Sequence, residues 1–151
     1  MSALDAELLQ IERLAIDSAP IIYFMEEHPR YVALVEKVFR RIDSGHITAV
    51  SSALTLTEVL TKPLESGEEG LRDRYLELLL SVENFSIVAI DVAIATRAAE
   101  LRARYGIRTP DALQVACAVE TGCQGFLTND KKLARITELQ VLVLESFVRD
   151  T

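Results

Sequence analysis

Four acidic side chains occupy positions where a carboxylate could do chemistry. Asp17 follows the apolar run "LAI", Asp111 follows "TP" at the start of an apolar helical stretch, and Asp130 follows "FLTN". Glu58 lies in "SSALTLTEVL", where most of its neighbours are apolar. An acid at a helix N-terminus gains about 0.3–1 kcal/mol from the helix dipole, so capping alone is a sufficient account of Asp17, Asp111 or Asp130 taken singly.

Glu58 has two competing structural explanations. It forms a capping box with Thr55 if the helix begins late, or pairs with Lys62 one turn on if the helix begins at Ser52. Asp91 serves as a comparison, because it also follows an apolar run and precedes a helical pattern. We interpret Asp91 as an N-cap only, so an acid after a strand is not by itself a functional signal.

Short apolar runs alternate with helical patterns along the chain. Strands are predicted at residues 14–17, 46–50, 85–91, 125–130 and 139–144, and helices at 32–42, 71–82, 92–105 and 112–121. In the last helix Thr109 is predicted as N-cap, Pro110 as the first helical residue and Asp111 as the second, and Pro63 is expected to end an earlier helix. The alternation predicts one domain, residues 1–151, that forms a three-layer α/β/α sandwich with a mostly parallel central sheet. Periodicity does not give the strand order.

In a parallel sheet the carboxyl ends of the strands, and the N-termini of the helices that follow, lie along one edge. Asp17, Asp111 and Asp130 are all predicted at that edge, and Glu58 follows a strand by about two helical turns. Carboxylates gathered there repel one another unless a cation lies between them. Oxygen ligands without His or Cys suit Mg²⁺ or Mn²⁺, and such sites commonly serve phosphoryl chemistry.

Composition limits the other possibilities. Half of the 151 residues are apolar, no apolar run is long enough for a membrane span, and no secretion signal opens the chain. We therefore expect a cytoplasmic globular protein in which Cys117 and Cys123 are small buried residues. The net charge of −7 argues against nucleic-acid binding by bulk electrostatics, although it does not exclude nucleic acid as a substrate.

Four segments resemble, in order, the acidic motifs of the PIN-domain ribonucleases, and among these the VapC-type toxins of toxin–antitoxin pairs. The segments are "LAIDSAPIIYF", "SSALTLTEVL", "TPDALQVACAVETGC" and "FLTNDKKL". The resemblance runs from about Leu14 to the C-terminus. It implies an α/β/α sandwich that cleaves RNA endonucleolytically with the help of Mg²⁺ or Mn²⁺.

The resemblance also assigns roles to residues. The acidic quartet would be Asp17, Glu58, Asp111 and Asp130. Asp17 and Asp111 would be the core metal ligands, while the other two acids would bind metal directly or through water, or orient the attacking water. Ser18 and Thr128 fall at neighbouring polar positions. Proteins of the VapC type usually form homodimers and are inhibited by a cognate antitoxin that blocks the acidic pocket.

Several alternatives stay open at this point. Residues 1–12 form an N-terminal extension of unknown role, because the first acid of the toxins usually lies nearer the terminus. A PIN-domain RNA-processing nuclease without an antitoxin, an inactive PIN-fold binding module and a phosphoacceptor receiver domain are the rival interpretations. Basic residues near the predicted edge contact RNA phosphates or are scattered surface charge: Lys62, Arg108, Lys131 and Lys132.

Overall fold

A five-stranded, all-parallel sheet forms the centre of the computed structural model, which describes residues 1–150. The strands are β1 Arg13–Ile16, β2 Thr48–Ser52, β3 Phe85–Val88, β4 Gly125–Thr128 and β5 Gln140–Val143. Their order in the sheet is β3-β2-β1-β4-β5. Receiver domains have the order β2-β1-β3-β4-β5, so the observed order excludes that alternative.

Helices cover both faces of the sheet, which confirms the predicted α/β/α sandwich. They are α1 Ala3–Leu8, α2 Ser18–Met25, α3 Val32–Asp43, α4 Ala53–Ser66, α5 Glu69–Ser81, α6 Val92–Tyr105 and α7 Thr109–Glu120, with 3-10 helices at Lys131–Arg135 and Leu144–Asp150. Alternate strand residues serve opposite faces, as the pleat of a strand requires. Leu14 and Ile16 join the core under α1–α5, whereas Ala15 of the same strand joins the core under α6 and α7.

The central position of β1 determines where the site can lie. From β1 the chain builds β2 and β3 on one side, and later returns to place β4 and β5 on the other. Open parallel sheets bind ligands in the crevice beyond the carboxyl ends of their strands, at the point where the strand order reverses. Asp17 stands directly at that point, because it is the residue that follows β1.

Two predicted helix boundaries are wrong. Pro63 lies inside α4, which continues to Ser66 and ends at Gly67 in the left-handed region (φ 72°). Pro63 is buried, so it contributes apolar surface to the packing of the helix although it lacks a backbone donor. Helix α7 begins at Thr109 with Arg108 as N-cap, so Asp111 is the third helical residue and not the second.

The N-terminal extension is packed against the domain. In α1, the side chain of Leu4 is 0% exposed and that of Leu8 is 1% exposed, and both belong to the core under α1–α5. Ser2 caps this helix by accepting a hydrogen bond from the backbone N–H of Asp5 at 3.2 Å. Residues 1–12 therefore contribute buried apolar surface to the same core as the central strands.

Two expectations from composition concern the cysteines and membranes. Cys117 and Cys123 are buried and unpaired, as predicted. Burial raises the pKa of the Cys117 thiol to about 12 and also raises that of Cys123, which disfavours the reactive thiolate. Within residues 1–150, no helix combines the length and apolar character needed to cross a membrane.

The packing of α1 predicts that adjacent leucines differ sharply in their effect on stability. Leu8→Ala should lower the free energy of unfolding by about 2–5 kcal/mol, because it leaves a cavity in the core. Leu9→Ala is the matched control: Leu9 is 54% exposed, and its loss should change stability by less than about 0.5 kcal/mol. Urea unfolding of both variants measures the difference. A loss from Leu8→Ala as small as the loss expected from Leu9→Ala would show that the packing of Leu8 does not stabilise the domain.

Candidate functional site

The four predicted acids line one cleft. It has a volume of about 700 Å³ and lies beyond the carboxyl ends of β1 and β4. Its lining includes Asp17, Glu58, Asp111 and Asp130. The fold thus brings together side chains that are up to 113 residues apart in the sequence. Asp91, the comparison residue, caps α6 through a 2.9 Å hydrogen bond from the N–H of Ile94 and does not line the cleft.

Asp17 is held by donors on both of its oxygens. Oδ1 accepts a hydrogen bond from the backbone N–H of Ser18 at 2.8 Å, and Oδ2 accepts one from the hydroxyl of Thr128 at 2.8 Å. Burial raises the pKa of Asp17 to about 6, against the lowering effect of these two hydrogen bonds. The charges of Glu58 and Asp111 raise the pKa further. Asp17 is therefore both fixed in place and exposed to the field of its acidic neighbours.

Asp111 lies in the first turn of α7, where the backbone N–H groups favour a negative charge. Burial raises its pKa, as do the charges of Asp130 and Glu58, while Arg108 lowers it. The Nε of Arg108 lies 3.5 Å from Oδ2 of Asp111, but the guanidinium is largely exposed and contributes little stability. The charges of acids across the cleft thus act on both Asp17 and Asp111.

Glu58 does not follow either structural explanation proposed for it. Helix α4 begins at Ala53, so Thr55 is buried within its first turn and is not an N-cap. Among the described residues, Glu58 forms no ion pair with Lys62. Instead its Oε1 accepts a hydrogen bond from the hydroxyl of Ser18 at 2.6 Å and a longer one from Nε2 of Gln114 at 3.4 Å.

Asp130 is positioned by the loop that leaves β4. It is the N-cap of the 3-10 helix, and its Oδ1 accepts a hydrogen bond from the N–H of Lys132 at 2.9 Å. Its own N–H donates to the hydroxyl oxygen of Thr128 at 3.1 Å. Because the same hydroxyl donates to Asp17, Thr128 links the two acids. Ser18 and Thr128 therefore contact the acids directly, as their positions in the motifs suggested.

Sequence reasoning missed Gln114. It is 3% exposed and hydrogen-bonds four side chains near the cleft: Ser52, Thr55, Ser18 and Glu58. The available signal was a lone amide, one turn after Asp111, in a helix that is otherwise apolar on most sides. The apolar pattern of that helix predicts packing on most sides and gives no role to its one buried polar residue.

Basic side chains surround the acids unevenly. Lys131 and Lys132 line the cleft, whereas Lys62 lies on an exposed part of α4 outside it. Arg108 lines an adjoining hollow that it shares with Asp111 and Asp130. Two of the four basic residues predicted near this edge are therefore placed where they can meet a ligand in the cleft.

The donor set suits a hard divalent cation, although the acids do not converge fully. Every candidate ligand is a carboxylate oxygen, and the charges of neighbouring acids raise the pKa of both Asp17 and Asp111. Positive charge in the cleft would relieve that repulsion. Within residues 1–150, however, no three acidic, histidine or cysteine side chains approach closely enough to hold one ion. The carboxylates instead take hydrogen-bond donors from the protein, among them Thr128 and the N–H of Lys132.

The chain thus forms a parallel α/β sandwich with an acidic cleft beyond the carboxyl ends of its central strands. The PIN domain matches residues 14–139, and the chain is a member of the PIN-domain family. The match covers all four acids and begins at Leu14, so α1 lies outside it. No curated protein matches the chain by sequence.

Solved structures share the fold at low sequence identity. A chain of VapBC2 from Rickettsia felis, bound to a DNA fragment from their promoter, is 18% identical with a TM-score of 0.70, covering 87% of this chain and 98% of that one. A chain of a toxin–antitoxin complex from Klebsiella pneumoniae is 21% identical with a TM-score of 0.65. The match covers 86% of this chain and 96% of that one. A chain of DNA-bound VapBC from Salmonella typhimurium is 15% identical with a TM-score of 0.63, and the match covers 88% of this chain and 98% of that one. The structural neighbours are thus VapBC and other toxin–antitoxin complexes, and they share the fold of this chain.

The pKa of Asp17 predicts a dependence of stability on pH. Because burial raises this pKa from 3.8 to about 6, the folded state binds the proton more tightly than the unfolded chain, and ionisation costs stability. In metal-free buffer, Asp17→Asn should therefore gain stability relative to the wild type as the pH rises from about 4 to about 6, by about 2–3 kcal/mol in total. Below that window both side chains are neutral and the relative gain disappears.

Urea unfolding at a series of pH values, with EDTA present, measures this difference. Asp91→Asn, which replaces a capping carboxylate outside the cleft, controls for the substitution itself. Asn is as good an N-cap as Asp, so neither substitution removes a cap. A difference between wild type and Asp17→Asn that stayed constant across the window would contradict the prediction.

Proposed function

We propose that this protein is a Mg²⁺- or Mn²⁺-dependent endoribonuclease. The observation that carries the proposal is the position of Asp17, Glu58, Asp111 and Asp130 along one cleft, where burial and the charges of neighbouring acids raise the pKa of Asp17 and Asp111. A position at a helix N-terminus is a sufficient account of Asp17, Asp111 or Asp130 taken singly, but it does not explain why all four acids line the same cleft. Membership of the PIN-domain family, whose members are generally nucleases, supports the same reaction.

Each acid has a proposed role. Asp17 and Asp111 are the core ligands for a divalent cation, since they lie at the central crevice and each has its pKa raised by the other acids of the cleft. A bound cation would lower the pKa of the attacking water and stabilise the leaving oxygen of an in-line displacement. Glu58 and Asp130 complete the ligand set or orient the attacking water. Ser18 and Thr128 keep Glu58 and Asp17 in position through the hydrogen bonds described above.

RNA binding requires a local reversal of the chain's charge. With a net charge of −7, the protein as a whole repels a phosphate backbone. Lys131 and Lys132 provide positive charge within the cleft lining, next to the acids that would hold the cation. We propose that these two lysines contact phosphates that flank the scissile bond, while the acids engage that bond through the cation.

Cleavage of RNA by the wild type and by Asp111→Asn tests the proposal. The wild type should cut total cellular RNA when Mg²⁺ or Mn²⁺ is present and should not cut it in EDTA. Asp111→Asn should lose at least about a hundredfold in rate, because a neutral amide replaces a charged ligand at the centre of the cleft. Gel or capillary separation of the RNA fragments measures both.

The matched control is Asp91→Asn, the same chemical change at a capping acid outside the cleft, which should cut like the wild type. Equal cleavage by wild type and Asp111→Asn would point to a contaminating nuclease and contradict the assignment. If no variant cuts any RNA in either metal, the alternative of an inactive PIN-fold binding module is favoured instead.

We further propose that the protein is the toxin of a type II toxin–antitoxin pair and forms a homodimer. The structural neighbours support the toxin assignment, since they are VapBC and other toxin–antitoxin complexes. The cleft is suited to inhibition by a protein, because a basic side chain of an antitoxin would meet four carboxylates there. The rival interpretation is an RNA-processing nuclease of the same family that acts without an antitoxin.

Expression in bacteria distinguishes toxin from processing enzyme. Induced expression of the wild type alone should arrest growth, whereas Asp111→Asn at the same protein level should permit it. Co-expression of the gene adjacent to this one should restore growth to the wild type. Normal growth on expression of a wild type that cleaves RNA in vitro would favour the processing enzyme.

A further inference from the structure

Behind Glu58 lies a group of buried hydroxyl and amide side chains, which we call the buried polar network. Its members are Ser18, Ser51, Ser52, Thr55 and Gln114, none of them more than 7% exposed. They come from four different elements: α2, β2, α4 and α7. Within residues 1–149 every buried side-chain nitrogen or oxygen has a hydrogen-bond partner. Burying five polar side chains requires such complete pairing, because each unpaired group would be costly.

The backbone carbonyl of Ile16 determines the direction of the hydrogen bonds that join Ser51, Thr55 and Gln114. The hydroxyl of Ser51 donates to the backbone carbonyl of Ile16 at 2.6 Å, which uses its only proton. The hydroxyl of Thr55, 2.6 Å away, must therefore donate to Ser51. Its oxygen is then free to accept a hydrogen bond from Nε2 of Gln114 at 2.9 Å.

The other end of the Gln114 amide is fixed independently. Ser52 donates to its Oε1 at 2.8 Å, so the carbonyl end faces β2 and the NH₂ end faces Thr55, Ser18 and Glu58. Reversing the amide would place its oxygen against the carboxylate of Glu58 and against the hydroxyl of Thr55, whose only proton already goes to Ser51. The network accordingly allows one orientation of Gln114, and in that orientation Gln114 can only donate to Glu58.

Both donors that reach Glu58 meet the same oxygen. Ser18 donates to Oε1 at 2.6 Å and Gln114 approaches it at 3.4 Å, while Oε2 accepts no hydrogen bond from the described residues. Glu58 is the longest of the four acids and sits on an exposed face of α4, where a glutamate would otherwise sample several rotamers. Contacts at one oxygen restrict that freedom and leave the other oxygen available to the cleft.

We propose that Gln114 is a positioning residue for Glu58: with Ser18 it holds Oε1 and so directs Oε2 toward the cleft. This inference rests on the proposed nuclease function, because it assigns Glu58 a task that depends on its orientation. Groups that orient metal ligands usually contribute about 10- to 100-fold to activity or metal affinity. Gln114 touches neither substrate nor metal in this role and acts only through Glu58.

A double-mutant cycle tests the inference. Gln114→Met keeps roughly the volume of the side chain and removes its donors. It should lower the metal-dependent kcat for RNA cleavage, and the affinity for Mn²⁺ measured by calorimetry, by about 10- to 100-fold each. In a Glu58→Gln background, the same substitution should change either quantity by less than about twofold, because the group through which it acts is already lost.

Two controls separate positioning from folding. Ser52→Ala releases the carbonyl end of the Gln114 amide without touching Glu58, and should give a smaller loss in the same direction. Thr121→Val alters a hydroxyl at the far end of α7, where it bonds the carbonyl of Cys117, and should leave cleavage unchanged. Thermal unfolding of each variant confirms that the measurements compare folded proteins.

The outcomes discriminate between the two levels of the proposal. Equal losses from Gln114→Met in the wild-type and Glu58→Gln backgrounds would indicate a general structural role and overturn the inference. Full activity and Mn²⁺ affinity in Gln114→Met would also overturn it, while leaving the nuclease proposal intact. A wild type without metal-dependent cleavage would overturn the proposed function, and the inference with it.

Discussion

The repulsion among four carboxylates in one cleft is the constraint on which the rest of the structure depends. Desolvation and the charges of neighbouring acids raise the pKa of Asp17 and Asp111, so an empty cleft is unfavourable electrostatically. The protein counters this with hydrogen-bond donors placed at individual oxygens. Asp17 has a backbone N–H and a threonine hydroxyl, Glu58 a serine hydroxyl, and Asp130 a backbone N–H. Three of the four acids are thereby fixed by neutral donors, whereas Asp111 lies beside the exposed guanidinium of Arg108.

The strand order supplies those donors in the right place. Because β1 lies between β2 and β4, the residues that follow all three strands surround the same crevice. Thr128 at the end of β4 can reach Asp17, and Ser51 and Ser52 at the end of β2 can reach Ile16 and Gln114. The two apolar cores, one on each face of the sheet, fix these distances. Packing far from the cleft therefore determines the geometry within it.

The sequence predicts the strands and the position of the acids better than it predicts the strand order and the buried contacts. Apolar runs locate all five strands, and the alignment of strand carboxyl ends predicts Asp17, Asp111 and Asp130 at one edge. The strand order cannot be obtained that way, since it depends on which strands pair and not on their periodicity. Local rules predict that Pro63 ends α4, because proline lacks a backbone donor, yet the helix continues to Ser66 and buries that proline. Gln114 is equally hard to recognise, because a lone amide in an apolar helix acquires meaning only when its partners on β2 and α4 are known.

The buried polar network shows why a residue such as Gln114 is hard to recognise from the local sequence although its hydrogen bonds reach an acid of the cleft. Each of its hydrogen bonds joins groups of ordinary type, and only their sequence of donors and acceptors, starting at the carbonyl of Ile16, makes the arrangement unique. A chain of this kind transmits orientation from the sheet to an exposed acid without any charged group in the core. The alternative, an ion pair to Glu58, would fix the acid equally well but would neutralise the charge that the cleft presents. Neutral donors restrain the carboxylate and leave its charge for whatever enters the cleft.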